Sequence, residues 1–315
     1  MELLILVVSV GFVGIAVIRR LYFAKNTDSF FLGSKNAGIL SLSASMTATW
    51  IGAASLIALS GWVGKYGAAA AWYLILPGIG MIILGLVGVV TIRNRTGTTL
   101  ADYYNNKAFN RLFSLFLATV YTLILGAQLV GFAKLSSVLG FSYEFGLLIA
   151  SIIVALYVLL GGFNSVRDTD VIQFILLIVG VVTLFTYTPV TISTPKLSTY
   201  FNTIDNLPDG LFITFVTLGV MMFVAQENHQ RIKAANSTSV AKTSCIISGI
   251  ILLIYAVSLS SFASSIEVNE TNPLLHSLGM LSAIPLAIVS VAIMAAALST
   301  ADSALNIASF SLGKV

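Results

Sequence analysis

Apolar residues run along this chain in long blocks, and polar residues gather in the short gaps between them. Blocks near the ~20 residues that a helix needs to cross a bilayer lie at 3–18, 40–62, 69–92, 112–137, 145–160, 170–189, 211–226, 243–263 and 283–312. The pattern predicts nine membrane helices. The first block runs straight into Arg19 and Arg20 without a small-residue cleavage site, so it reads as a retained helix and not as a signal peptide.

Composition agrees with the pattern. Hydrophobic residues make up 57% of the chain and charged residues 9%, against roughly 25% charged in a soluble domain; mean hydropathy is +0.99. The expected class is an all-α, multi-pass protein of the cell membrane. With the N-terminus outside, all of the sixteen Lys and Arg residues except Lys65, Lys134 and Lys196 fall in inner loops, as the positive-inside rule expects. The net charge of +4 is then a matter of topology. The interleaved basic and aromatic patch of a nucleic-acid binder is absent, so no nucleic-acid partner is expected. The lone Cys245 falls inside a span and excludes a disulfide within the chain. Outer loops 190–210 and 264–281 are the polar ones, and the second carries a sequon, Asn269-Glu270-Thr271. With no soluble domain or long linker, residues 1–315 read as one transmembrane bundle.

Two segments carry chemistry. In "SLSASMTATWIGAASLIALSG", residues 41–61, nine of twenty-one residues are Ser, Thr or Gly. Such a helix can be a tightly packed interior one. It can also be interrupted near Ala48–Ile51, where freed carbonyls are tolerated only if they line a cavity or hold an ion. In "MAAALSTADSALN", residues 294–306, Ser299, Thr300, Asp302 and Ser303 cluster in the middle of the last span. A carboxylate at that depth costs about 2.5–3.5 kcal/mol or more and marks an ion or substrate pathway by default; a carboxylate hydrogen-bonded to neighbouring hydroxyls is the structural alternative. His229 and His276 fall in loops, and no HExxH, Cys/His metal spacing, G-x-S-x-G or nucleotide motif is present, so the chain is not expected to be an enzyme or a primary pump.

These residues resemble the sodium:solute symporter family. The likeness rests on "ATWIGAASLIALSG" at 48–61, "GGFNSVRDTDVIQFILLIVG" at 161–180 and "AALSTADSALN" at 296–306, with "QRIKAANS" at 230–237 similar to the loop after the family's sixth core helix. It implies the LeuT-type fold, two inverted five-helix repeats preceded by an extra helix. Here the extra helix would be 3–18, the first repeat 40–189 and a partial second repeat 211–312, the chain stopping after core helix 8 as a fragment or an abnormal member. The resemblance implies a secondary transporter that couples sodium entry to uptake of a small organic solute by alternating access. A proton-coupled carrier and a sensory membrane module of the same fold are the alternatives, the latter needing a fused signalling domain.

Residue by residue, the resemblance implies a first sodium site at the carbonyls of Ala48, Ile51 and Ala296 and the hydroxyls of Ser299 and Thr300. A hard monovalent cation needs five or six oxygen dipoles, which carbonyls at a helix break and a Ser-Thr pair supply. A second sodium site would draw on Asp170, Ser299, Ser303 and Asp302. Two carboxylates there could instead share a proton, or form a structural network with Arg167. Trp50 stands where sugar carriers of the family have an amide and proline carriers an acid. Trp50, Ser55, Trp72, Phe223 and Gln226 are the expected pocket residues, with ordinary helix packing as the alternative for each.

Overall fold

The computed structural model of the chain describes residues 33, 35–97, 99–202, 204–266 and 272–315, with the backbone alone at 157–161. The expected helix at 3–18 and the sequon lie outside the described residues. Those described are helical nearly throughout. They contain no strand, only an isolated bridge between Ala37 and Ala235.

Five helices of uniform apolarity are long enough to span a bilayer without interruption, at 1.5 Å rise per residue. They are α3 (Ala68–Asn94), α4 (Lys107–Val138), α6 (Gly162–Tyr187), α9 (Thr238–Ser264) and α10 (Ala283–Leu312). Short polar side chains start several of them. Asn106 accepts from the Ala108 and Phe109 amides at the head of α4, and Ser237 from the Val240 amide at the head of α9. A shorter apolar helix, α5 (Tyr143–Leu156), runs on into α6 through a kink at Gly162, whose φ of 61° and ψ of −166° suit a residue without Cβ. The span expected at 170–189 therefore begins eight residues earlier, because "FNSVRDTD" is helical although polar.

The remaining two spans are broken. Ile39–Trp50 (α1) and Ala53–Tyr66 (α2) meet at a 55° bend, so the expected helix at 40–62 is two half-helices. Leu211–Met221 (α7) and Gln226–Ala234 (α8) are separated by four residues in tight turns. The apolar run ends at 226, and 227–242 was expected to be an inner loop. Instead, the span continues to Ala234, and every residue of α8 except Lys233 is buried. Hydropathy misses α8 because its polar side chains pair with polar groups of other helices and not with water. Broken helices in matching positions of two halves are a mark of inverted-repeat transporters, and the architecture is a LeuT-like helix bundle.

The centre of the bundle is α10, 67% of whose apolar window is buried, against 33% for α4. It packs on α4, α5 and α6, while α9 packs on α3 and α1. Close approach depends on missing side chains: a Cβ on Gly80 of α3 would strike the Gly219 carbonyl of α7, and one on Gly78 would lie 3.0 Å from the Gly249 carbonyl oxygen of α9. Cys245 is fully buried beside Met46. Leu86, Val87, Leu112, Leu123, Ile213 and Ile254 point outward, the lipid-facing surface of a multi-pass membrane protein. Cations gather at one end, where Arg93 donates to the Ile232 and Ala235 carbonyls, Lys233 to the Gly97 carbonyl, and Lys314 pairs with Asp102.

Candidate functional site

The break between α1 and α2 frees carbonyls that a continuous helix would use itself. Two are taken by hydroxyls. Thr300 of α10 donates to the Thr49 carbonyl at 2.9 Å and Ser55 to the Trp50 carbonyl at 3.3 Å; Ser55 also donates at 2.7 Å to the Gly52 carbonyl, which already accepts from the Leu56 amide of α2. Among the described residues no side chain takes the Ala48 or Ile51 carbonyl. On the far side of the break, Gln128 of α4 accepts from the Ala54 amide at 3.2 Å. A Cβ on Gly52 would sit 2.5 Å from both Gln128 Oε1 and Thr300 Oγ1, so a glycine is what lets α1, α4 and α10 converge here.

The five residues expected to form the first sodium site are thus buried around this point, with Thr300 the most accessible at 9% exposure. Thr300 Oγ1 also lies 3.4 Å from the Ala296 carbonyl oxygen. Ser299 points elsewhere and donates to Asp170 Oδ1 at 2.5 Å. The donor set suits sodium: neutral oxygens, mostly carbonyl and hydroxyl, with a carboxylate one bond behind.

Asp170 stands in a charged network beside that point. Its Oδ2 accepts from Arg231 Nη2 at 2.9 Å, and Ser45 also donates to it. Arg231 Nη2 reaches Thr49 Oγ1 at 2.5 Å and Ser303 Oγ at 2.9 Å, and its Nε donates to Ser45 Oγ at 2.7 Å. Ser303 passes the chain on to Asp302 Oδ1 at 3.2 Å; Asp302 Oδ2 has no partner among the described residues. All four residues expected at a second sodium site are therefore brought together, but the cation among them is Arg231. Arg167, which the structural alternative placed in a network with these carboxylates, bonds to Asp168 and Asn36. Both members of the Arg231–Asp170 pair are fully buried, and removing one partner of such a pair costs about 3–5 kcal/mol.

The second break meets the first. Trp50 Nε1 at the end of α1 donates to Asn228 Oδ1 at 3.3 Å, and Asn228 Nδ2 donates to the Met222 carbonyl at 3.0 Å. His229 Nε2 lies 2.7 Å from the Phe223 carbonyl oxygen, so it carries the proton, and Nδ1 accepts from Tyr103 at 3.2 Å. Burial pushes the Tyr103 hydroxyl up to about 12, which keeps it a donor. Tyr121 of α4 donates to Glu227 Oε2 and accepts from the Gln226 amide at 2.9 Å.

The expected pocket residues do not converge on one point. Trp50 packs against both large apolar clusters, and Phe223 against the smaller. Ser55 serves the break. Gln226 accepts from the Leu100 amide at 2.8 Å. Trp72 donates to the Tyr200 carbonyl and packs on Phe201 and Phe212. Sequence reasoning missed Ser45, Thr49, Arg231, Gln128, Asn228, Glu227 and Tyr121. Ser45 and Thr49 lie one helical turn apart within residues 41–61, and Arg231 lies within the 230–237 motif, so two of the signals were already in view.

Comparisons with known proteins fit this arrangement. The family model described as "Sodium:solute symporter family" matches residues 30–314. The sodium/pantothenate symporter of Escherichia coli is 33% identical over 169 residues, which cover 50% of this chain and 34% of that protein. The sodium/proline symporter of the same species is 28% identical over 174 residues, with the same coverage. The matched part is thus about a third of the length of these curated relatives. A solved structure described as the substrate-bound outward-open state of a Na+-coupled sialic acid symporter covers 100% of this chain and 73% of its own, with a TM-score of 0.77 at 18% identity. That likeness is one of fold.

The Tyr121–Glu227 contact offers a direct check on how the second break is held. Tyr121→Phe leaves a buried carboxylate oxygen and a buried amide without their partner, at about 1–3 kcal/mol each. The thermal unfolding midpoint in detergent is expected to fall clearly, and to fall less for Glu227→Gln, which retains an acceptor for the hydroxyl. Equal midpoints in Tyr121→Phe and the unaltered chain would contradict the contact.

Proposed function

Because the chain belongs to the sodium:solute symporter family, we propose that it is a sodium-coupled carrier of a small organic solute, working by alternating access. The observation that carries this reading is the buried helix break itself, where the Thr49 and Trp50 carbonyls each take a hydroxyl while, among the described residues, no side chain donates to the Ala48 or Ile51 carbonyl. Together with the Ala296 carbonyl and the Thr300 hydroxyl, and with the Ser299 hydroxyl once it turns from Asp170, those two carbonyls would make a five-oxygen set for one sodium ion. Thr300 and Ser299 are held by the Thr49 carbonyl and Asp170, both of which they would release or share when sodium enters.

Coupling follows from the position of the site. The oxygens come from two bodies, the broken helix α1/α2 and the central helix α10, so sodium favours whichever conformation brings those bodies together. An ion shifts an equilibrium only by its difference in affinity for the two states. The solute would bind by the breaks, where Trp50 and Asn228 join α1 to α8, so that both ligands act on the same hinge. An apolar cavity of about 20 Å³ lined by Leu56, Leu184, Tyr255 and Val289 is too small and too apolar for that solute. The relatives named for pantothenate, proline and sialic acid all act on molecules that carry a carboxylate, and a carboxylate is the solute chemistry proposed here. The cation-rich end of the bundle, with Arg93, Lys107 and Lys314, would face the cytoplasm.

Uptake of radiolabelled carboxylate solutes into proteoliposomes should require an inward sodium gradient. Ser299→Ala and Thr300→Ala each remove one oxygen with little change in volume, so each is expected to raise the sodium concentration for half-maximal uptake by about tenfold or more, or ~1.4 kcal/mol, with protein abundance kept. Unchanged sodium dependence in both would move the site elsewhere.

Orientation has a separate check, since the one native cysteine is buried and both target positions are exposed. Lys196→Cys is expected to react with an impermeant maleimide in intact cells, and Lys107→Cys only after the membrane is opened. The reverse result would invert the topology.

A further inference from the structure

The donors that would form a second sodium site already surround a cation belonging to the chain. Resting on the sodium reading above, we propose that Arg231 takes the place of a second sodium ion, so that the protein binds and couples a single sodium, at the α1/α2 break. One nitrogen, Arg231 Nη2, lies 2.5 Å from Thr49 Oγ1, 2.9 Å from Asp170 Oδ2 and 2.9 Å from Ser303 Oγ. Those oxygens come from α1, α6 and α10, the convergence of helices that would build an ion site.

Sodium cannot share the position. The carboxylate that would hold it already faces a guanidinium, and the two cations would stand side by side in an interior where water does not screen them. The position of Arg231 is fixed on several sides. Nε is held by Ser45, the ring of Phe163 lies 5.6 Å from the guanidinium carbon, and Nη1 reaches the Glu227 carbonyl one turn back at 3.5 Å. Of the other charged groups nearby, Asp302 connects through Ser303, while Glu227 is bonded to Tyr121. The sequence placed Arg231 in a loop, which hid the substitution: a second site was legible from Asp170 and Ser303, and its occupant was not.

Sodium bound per chain decides the matter. Equilibrium binding of radiolabelled sodium to the purified full-length protein is expected to give one ion per chain. Arg231→Gln removes the charge and keeps a polar side chain; it is expected to raise the count to two, while Arg231→Lys keeps it at one. Adding Asp170→Asn to Arg231→Gln should return it to one. Two ions bound by the unaltered protein would overturn the proposal, and that measurement does not depend on any variant folding. A folded Arg231→Gln protein that still binds one ion would overturn it too, leaving the first site intact. No sodium bound by the unaltered protein would instead defeat the first-site reading and this proposal with it.

Discussion

A helix that breaks inside an apolar bundle must find partners for the backbone groups that it frees, since no water is available to take them. Much of this structure answers that demand. Ser55 and Thr300 take carbonyls of the first break, and Gln128 takes an amide. Asn228 and His229 take carbonyls of the second, and Trp50 links the two breaks. Thr300 and Gln128 reach the first break from other helices and Trp50 crosses to the second, so satisfying the backbone also fixes how the helices meet. Gly52 belongs to the same constraint: the space that its missing side chain leaves is filled by the groups that serve the break.

Charge is arranged around that backbone framework. Asp170, Glu227 and Asp302 are buried carboxylates, and each is met differently. Asp170 has a guanidinium and two hydroxyls, Glu227 has the Tyr121 hydroxyl, and Asp302 has Ser303. Hydroxyls do much of this work because they both donate and accept. Ser303 accepts from Arg231 and donates to Asp302, so it relays between two charges that do not touch. The sodium oxygens proposed at Ala48, Ile51, Ala296 and Thr300 lie next to this network and share Ser299 with it. A change of state at one would reach the other through the Ser299 side chain.

The spans were legible in the sequence because a membrane imposes a crude rule, a long apolar block, that survives any detail of packing. The break in the first span was one of two readings that its small and hydroxylated residues allowed, and the structure has the broken one. The second half of the second broken span, α8, was not legible. Its residues "QENHQRIKA" read as a solvated loop, and only the tertiary structure supplies Tyr121, Tyr103, Asn306 and Asp170 as partners. The partner of Asp170 was missed for the same reason: the structural alternative looked to Arg167, three residues away in sequence, whereas Arg231 is brought in by α8. One cue was present, since a helix can continue past residue 226 without meeting a Gly or Pro before 234.

The central claim is that a monovalent cation binds at the α1/α2 break against α10. Thallium(I) carries the charge of sodium and scatters anomalously, so a diffraction experiment on crystals of the full-length protein grown with thallium in place of sodium would locate the ion directly. The account expects an anomalous peak within coordination distance of the Ala48 and Ile51 carbonyls and the Thr300 hydroxyl, with Arg231 still bonded to Asp170. A peak at Asp170 with Arg231 displaced, and none at the break, would contradict it.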